Sequence, residues 1–234
     1  MPILLKCCAI LLLVTVVASA EEATADRSKV YPQLNQYLEA RTTEFDQIPT
    51  ERKALLNKLT HYVKGRVEAH QPTRITFICT HNSRRSHMSQ IWAATAASYY
   101  GVANVETFSG GTEGTAFNPR AVAALERAGL KLEMIGVDKN PRYAVSFQAT
   151  DTPMICFSKV YRDPSNPKAD FCAAMTCSQA DQNCLDVESA ALRVAIPFED
   201  PKVADNTPAE AAQYDERCQQ ICREIMFVFS QVGQ

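Results

Sequence analysis

The chain has 234 residues, of which 46% are hydrophobic, and its formal net charge is −2. This length suits one folded domain with an additional segment. A net charge so close to zero, without a basic stripe interleaved with aromatic residues, argues against a nucleic-acid-binding protein.

The first 20 residues have the pattern of a secretory signal segment. Lys6 supplies a positive start, residues 9–17 form an apolar run, and residues 18–20 are small, as a cleavage site requires. The apolar run is short for a membrane span. We therefore expect an exported, periplasmic protein with no stable membrane insertion after cleavage. An uncleaved N-terminal anchor is the alternative.

Residues 21–71 are polar and predict a helical extension. Apolar residues at helical spacing indicate one helix over residues 31–38 and a second that begins near Thr50. No chemical motif lies in this segment. We expect its helices to pack against a main domain formed by residues 72–234.

The main domain opens with an apolar run, residues 75–79, which predicts a β-strand that ends at Cys79. The polar segment Cys79-Thr-His-Asn-Ser-Arg-Arg85-Ser86 follows, and a helical pattern then begins. Backbone N–H groups at such a strand–loop–helix junction form a pocket for a tetrahedral oxyanion. This environment favours a thiolate at Cys79. Arg85 can bind two anion oxygens, and Ser86 can donate a hydrogen bond to the sulfur.

This segment, the phosphate loop (residues 79–86), resembles that of low-molecular-weight protein tyrosine phosphatases and of the thioredoxin-coupled arsenate reductases that share their fold. The resemblance extends from about Arg74 to the C-terminus. It implies that Cys79 is the nucleophile and that Ser109 supports Asn82. The residues expected to bind the oxyanion are Thr80, His81, Asn82, Ser83, Arg84 and Arg85.

The elements that follow the loop are typical of an α/β fold. Residues 105–109 predict a second strand, and Asn118 with Pro119 predicts the start of a helix that Gly129 ends. Strands that alternate with helices imply a doubly wound parallel sheet of about four strands with flanking helices.

Two apolar runs, residues 154–161 and 171–177, surround a turn-rich loop and predict an inserted hairpin. Cys156 and Cys172 occupy comparable places in its two arms. They either form a disulfide or remain two buried free thiols, and we favour the free thiols.

A further strand is predicted over residues 192–196, and Asp200 with Pro201 follows it. Loops at this end of parallel strands carry the sites of open α/β sheets. Asp200 resembles the general acid of the phosphatase family, with Glu199 as a substitute. The last helix is predicted to begin with a capping box from Thr207 to Glu210.

Cys177 and Cys184 enclose a polar stretch. Their spacing alone predicts a structural disulfide or two spare thiols. The resemblance implies a relay instead, because arsenate reductases of this fold carry two cysteines at this spacing. In that relay Cys177 attacks Cys79 and releases arsenite, and Cys184 then carries the disulfide to a thioredoxin-like reductant.

Three residues depart from the family pattern. His81 stands where glycine is usual, and a histidine there would crowd the loop or need a left-handed backbone. Arg84 replaces a small residue and would add positive charge at the mouth. Gln90 replaces an acidic residue that helps to hold potassium, so we expect neither a metal nor another bound cofactor. His87 is expected to face solvent.

These observations support three hypotheses. The first is an exported arsenate reductase that uses Cys79, Arg85 and the disulfide relay. The second is a phosphatase for phosphotyrosine or small phosphate esters, with a phosphocysteine at Cys79 and Asp200 as general acid. The third is an inactive oxyanion-binding module.

Overall fold

The computed structural model describes residues 29–136, 138–149, 152–183 and 187–232. The predicted signal segment, residues 1–20, and Cys184 lie outside the described residues. Within these ranges, no helix is long and apolar enough to span a membrane.

The helices and strands alternate along most of the chain. They are α1 (Pro32–Thr42), α2 (Thr50–Glu68), β1 (Thr73–Cys79), α3 (Arg85–Tyr99), β2 (Val105–Gly111), α4 (Pro119–Arg127), β3 (Lys131–Ile135), β4 (Arg142–Ser146), β5 (Met154–Cys156), β6 (Phe171–Met175), α5 (Ser178–Asn183), β7 (Ala190–Ala195) and α6 (Glu210–Ser230). Short 3-10 helices lie at Phe45–Gln47, between α1 and α2, and at Pro201–Ala204, between β7 and α6.

The central sheet is parallel, with the strand order β2-β1-β6-β7. Cys79 at the end of β1 lies beside Gly111 of β2, and Ile78 lies beside Met175 of β6. The C-terminal ends of these strands therefore meet at one edge, where the loops that follow them lie together. This architecture confirms the predicted parallel α/β fold of four strands with flanking helices.

The side chains of β1 alternate between two buried layers of unequal size. Ile75 and Phe77 enter the larger layer, together with side chains of α2, α3 and α6. Ile78 enters a smaller layer on the opposite face, which also contains Cys79 and Cys177. Cys79 and Cys177, two of the three thiols of the predicted relay, therefore lie in the smaller core.

The strands β3, β4 and β5 form a separate antiparallel sheet in that order. The predicted hairpin is therefore wrong, because its first arm supplies β5 to this sheet while its second arm is β6 of the parallel sheet. A short apolar run suits a buried strand of either sheet, so the sequence does not show which partner it takes. Cys156 and Cys172 are buried and unbonded, and burial raises the pKa of the Cys156 thiol to about 12.

Both N-terminal helices contribute to the larger core. Leu34 of α1 and Leu56 of α2 are fully buried in it, and both helices pack against α6. Tyr37 of α1 stacks on Trp92 of α3, with 5.6 Å between the ring centroids. The helical extension thus shares one core with the sheet.

Two predicted helix starts had different outcomes. The start of α4 is confirmed, because Asn118 accepts a hydrogen bond from the Arg120 N–H at 2.9 Å. The capping box of α6 is wrong. That helix begins at Glu210, whose carboxylate accepts a hydrogen bond from the Asn206 N–H at 2.6 Å. The Thr207 hydroxyl donates to a carbonyl of the preceding 3-10 helix and accepts from the Ala209 N–H, whereas the Glu210 N–H donates to the Thr207 carbonyl.

We predict that Gly110→Ala destabilises the fold. A Cβ at position 110 would lie 2.7 Å from the backbone nitrogen of Tyr161, and that segment cannot shift without disturbing its contacts with β2. Overpacking of this kind costs about 1–3 kcal/mol in the free energy of unfolding, which urea denaturation measures.

The matched control is Gly65→Ala. Gly65 lies inside α2, and a Cβ there would have no neighbour within 4 Å. This substitution should raise the free energy of unfolding by about 0.5–1 kcal/mol. A Gly110→Ala protein as stable as the wild type would contradict the close packing against Tyr161.

Candidate active site

Cys79 lies at the end of β1, at the base of the phosphate loop. Its side chain is 3% exposed, and its sulfur lies 3.1 Å from the Ser86 hydroxyl oxygen. The next helix, α3, begins at Arg85, so the positive end of its dipole lies at the loop. In the described part of the chain, the N–H groups of residues 81–84 have no acceptor. They are therefore available to an oxyanion.

The amide of Asn82 fixes the shape of the phosphate loop. Asn82 has a left-handed backbone, with φ of 43°, which asparagine tolerates better than most residues. Its Oδ1 accepts a hydrogen bond from the Lys159 N–H at 2.9 Å, and its Nδ2 donates to the Ser86 hydroxyl at 2.8 Å. Because Ser86 accepts from Asn82, its own proton is free to point at the Cys79 sulfur.

The loop after β2 supports the phosphate loop from one side. The Glu113 N–H donates to the Thr80 carbonyl at 2.9 Å. Gly111 permits this close approach, because a Cβ at this position would lie 2.7 Å from the Asn82 nitrogen. A larger residue at position 111 would push the two loops apart.

The structure places the Ser109 hydroxyl on His87 Nδ1, at 3.3 Å, and not on Asn82 as the resemblance implied. His87 is fully buried rather than facing solvent, and its ring stacks on Phe117 at 4.0 Å. Burial, with a smaller contribution from the charge of Lys159, lowers the pKa of His87 to about 3. The sequence missed this residue because α3 is buried on nearly every side, so it has no polar stripe that would separate buried from exposed positions.

Arg85 and Asp200 form an ion pair at the phosphate loop. Arg85 Nη2 donates to Asp200 Oδ2 at 2.7 Å, and its Nη1 donates to the Phe198 carbonyl at 3.0 Å. The Arg85 Nε atom is buried and has no acceptor among the described residues. Glu199, the substitute considered for Asp200, is exposed. Asp200 is therefore the carboxylate that the fold brings to the loop arginine.

A small cavity opens in front of the Cys79 sulfur. The space that the centre of a water-sized sphere can occupy in it is about 10 Å³. Its lining contains no Phe, Tyr or Trp among the described residues and consists of Cys79, His81, Ser83, Arg84, Arg85 and Asp200. Polar and charged walls of this kind suit a small anion.

The His81 side chain does not crowd the loop. It is 46% exposed and lies 3.7 Å from the Glu113 carboxylate. The left-handed backbone position belongs to Asn82, the next residue. The expected obstruction at His81 is therefore wrong, because the loop makes its sharp turn one residue later.

The Arg84 side chain is held by the protein rather than open to solvent. Its Nε donates to the Tyr214 hydroxyl at 2.7 Å, and its Nη2 lies 3.5 Å from Asp205. The side chain is 11% exposed. The positive charge expected at the mouth is thus largely balanced by a neighbouring carboxylate.

Cys177 lies beside the phosphate loop, shortly after the end of β6. Its sulfur is 3.5 Å from the Thr80 hydroxyl and accepts a hydrogen bond from the Ala180 N–H at 3.3 Å. Cys177 is 1% exposed and belongs to the same buried cluster as Cys79. Cys184 lies outside the described residues, so its role stays a prediction.

Gln90 is used in packing. Its amide nitrogen donates to the Thr107 carbonyl at 3.0 Å. Among the described residues, no group of three or more His, Cys, Asp or Glu side chains is placed to hold a metal ion. The ionisable groups at the loop are the thiols of Cys79 and Cys177, the guanidinium groups of Arg84 and Arg85, the His81 imidazole and the Asp200 carboxylate.

A family comparison identifies the class of this loop. The family model for low molecular weight phosphotyrosine protein phosphatase matches residues 74–144, which run from β1 through the phosphate loop into β4. The resemblance to this family is thus confirmed for that segment. Cys177 and Asp200 lie beyond it. No curated protein was found to match the chain.

Solved structures give distant likenesses. The alignment with a low molecular weight phosphotyrosine phosphatase from Vibrio cholerae has 15% identity, covers 68% of this chain and 94% of that one, and has a TM-score of 0.44. The alignment with the arginine phosphatase from Geobacillus stearothermophilus has 13% identity, covers 69% of this chain and 91% of that one, and has a TM-score of 0.42. The alignment with an arsenate reductase in the phosphate-binding state has 14% identity, covers 68% of this chain and 98% of that one, and has a TM-score of 0.43. These TM-scores are below 0.5, so the fold assignment rests on the strand order and the family match.

We predict that His87 makes the fold acid-sensitive. In the unfolded chain a histidine takes up a proton below about pH 6.5, whereas folded His87, with a pKa of about 3, stays neutral. The unfolded state therefore binds more protons. The free energy of unfolding should fall as the pH drops from 6.5 toward 3, by at most about 1.4 kcal/mol per pH unit from this residue.

Urea denaturation at several pH values measures this effect. His87→Phe keeps a ring against Phe117 and removes the titrating group, so it should flatten the acid-side slope. His61→Gln, at an exposed histidine, should leave the slope unchanged. Equal slopes in the wild type and in His87→Phe would show that His87 is not the responsible group.

Proposed function

We propose that this chain is a thiol-dependent arsenate reductase in which Cys79 attacks the anion and Cys177 completes the reduction. The observation that supports this most directly is the position of Cys177, whose sulfur lies 3.5 Å from the hydroxyl of Thr80, the residue after Cys79. Hydrolysis at such a loop needs one nucleophilic thiol. Reduction needs a second thiol that can reach the first.

Binding and attack use the phosphate loop. Arsenate is a tetrahedral oxyanion, and its oxygens would be held by Arg85 and by the N–H groups of residues 81–84, which have no acceptor among the described residues. The Cys79 thiolate forms a bond to arsenic, and one arsenate oxygen leaves as water after protonation. Asp200 lies 2.7 Å from Arg85 Nη2. Once the anion takes Arg85, the Asp200 carboxyl can take up a proton from water and deliver it to the leaving oxygen.

Reduction follows when Cys177 attacks the Cys79 sulfur. A disulfide bond forms between the two sulfurs, the sulfur–arsenic bond breaks, and its electron pair stays on arsenic. The two thiols lose two electrons, and As(V) gains them and leaves as arsenite. Cys177 must move to make this attack, and the hydrogen bond from the Ala180 N–H to its sulfur is one contact that has to break.

We propose that Cys184 then attacks Cys177 and returns Cys79 to its reduced form. A thioredoxin-like dithiol would reduce the resulting Cys177–Cys184 disulfide and become oxidised in turn. The signal pattern of residues 1–20 supports an exported enzyme. An oxidising compartment makes a dedicated reductant necessary.

Cys177→Ser should stop repeated arsenate turnover, because no thiol then displaces arsenic from Cys79. The assay is arsenite release with thioredoxin, thioredoxin reductase and NADPH. The same variant should retain any hydrolysis of p-nitrophenyl phosphate that the wild type performs, since that reaction needs Cys79 alone.

The matched control for this variant is Cys156→Ser. Cys156 is equally buried but lies on β5, in the antiparallel sheet, so its substitution should spare both activities. Undiminished arsenate turnover in Cys177→Ser would eliminate the relay. A wild-type protein that binds oxyanions but performs neither reaction would instead be the inactive binding module.

A second candidate function is hydrolysis of a phosphate ester, and the ion pair between Asp200 and Arg85 favours it. The pair holds a carboxylate at the cavity. Once the phosphate ester takes Arg85, the Asp200 carboxyl can take up a proton from water and give it to the leaving oxygen as Cys79 takes the phosphoryl group. Water that Asp200 deprotonates would then hydrolyse the phosphocysteine. The polar cavity walls suit a small ester.

Asp200→Asn should lower kcat for phenyl phosphate by roughly 10²–10⁴-fold, the usual contribution of a general acid. Inorganic phosphate should inhibit the variant as well as it inhibits the wild type, or better, because an asparagine competes less strongly for Arg85. Asp215→Asn, which breaks an exposed ion pair with Arg127, should change neither property. An unchanged kcat in Asp200→Asn would rule out the acid role.

A further inference from the structure

The turn that carries Asp200 has a carboxylate at each end. This 3-10 helix, Pro201–Ala204, follows Asp200 and precedes Asp205. Asp200 Oδ1 accepts a hydrogen bond from the Lys202 N–H at 3.1 Å, which fixes the carboxylate to the first turn. A group that holds both carboxylates therefore sets the orientation of the whole turn.

The Arg84 side chain approaches both ends of this turn. Its Nε lies 3.9 Å from Asp200 Oδ1, and its Nη2 lies 3.5 Å from Asp205 Oδ2. The next residue, Arg85, holds the other oxygen of Asp200 at 2.7 Å. Two consecutive guanidinium groups of the phosphate loop thus hold the turn that carries the acid.

Tyr214 of α6 fixes the Arg84 side chain from behind. Its hydroxyl accepts a hydrogen bond from Arg84 Nε at 2.7 Å and donates one to Asp205 Oδ1 at 2.8 Å. Burial, followed by the hydrogen bond to Asp205, raises the pKa of Tyr214 to about 12. The hydroxyl therefore keeps the proton that it donates, and the three side chains form a satisfied network.

We propose that Arg84 is a positioning residue for Asp200, which clamps residues 200–205 against the phosphate loop. This inference rests on the proposed chemistry, because it assumes that Asp200 acts as the acid. An incoming oxyanion competes with Asp200 for Arg85. When the anion takes Arg85, the Arg84 contacts with Asp200 and Asp205 remain to keep the acid beside the leaving group.

The test compares aryl phosphates whose leaving groups differ in basicity. A poor leaving group depends most on protonation by the acid. Arg84→Gln, which displaces the acid, should therefore lower kcat for phenyl phosphate by roughly 10–100-fold and kcat for p-nitrophenyl phosphate far less. KM should stay near the wild-type value, because the loop N–H groups and Arg85 remain. Arg84→Lys should recover part of the loss, since an ammonium can reach one of the two carboxylates.

Three further variants separate positioning from general damage. In an Asp200→Asn background, Arg84→Gln should add little, because the acid is already missing. Arg120 of α4 approaches Asp205 at 3.9 Å. Arg120→Gln should leave the dependence of kcat on the leaving group unchanged. Tyr214→Phe should act like Arg84→Gln but more weakly, since Arg84 keeps its ionic contacts.

Hydrogen exchange adds a measurement that does not depend on activity. The amides of residues 202–205 should exchange faster in Arg84→Gln than in the wild type. If the wild type neither reduces arsenate nor hydrolyses esters, the proposed function fails, while the exchange rates still decide whether the clamp exists. If the wild type is active, either of two results overturns the positioning role. In the first, Arg84→Gln lowers kcat equally for both leaving groups. In the second, Arg84→Gln lowers kcat by its full factor even in the Asp200→Asn background.

Discussion

One side-chain amide gives the phosphate loop its shape. Asn82 turns the backbone into the left-handed region and uses both polar atoms of its amide, one on the Lys159 backbone and one on Ser86. This turn leaves the N–H groups of residues 81–84 without acceptors among the described residues, and it directs the Ser86 proton toward Cys79. The proposed anion binding and the proposed attack by the Cys79 sulfur would therefore depend on the same bridge.

The parts that the sequence predicted correctly are those determined by neighbouring residues. The strand that ends at Cys79, the loop and the start of α3 form one contiguous segment, and Asn118 caps α4 through the N–H two residues on. Such features follow from local hydrogen bonding and periodicity. The parallel sheet followed from the alternation of strands with helices.

The parts that the sequence did not predict depend on residues that are far apart in the chain. The packing of the layers brings Ser109 into contact with His87. It also determines that β5 pairs with β4. The contact of Arg84 with Tyr214 spans 130 residues and depends on where α6 lies. A charged residue in a loop usually predicts exposure. The buried Tyr214 and the partly buried Asp205 carboxylate around Arg84 reverse that expectation.

The unequal size of the two cores has a consequence for dynamics. The larger core binds α3 and the N-terminal helices to the sheet, whereas the smaller core around Cys79 and Cys177 is covered by α5, a helix of six residues. Regions with few buried apolar contacts undergo subglobal opening at a fraction of the global unfolding free energy. We therefore expect the α5 region to open more readily than the phosphate loop and the larger core. Sulfur exchange would thus require only local melting and not loss of the fold.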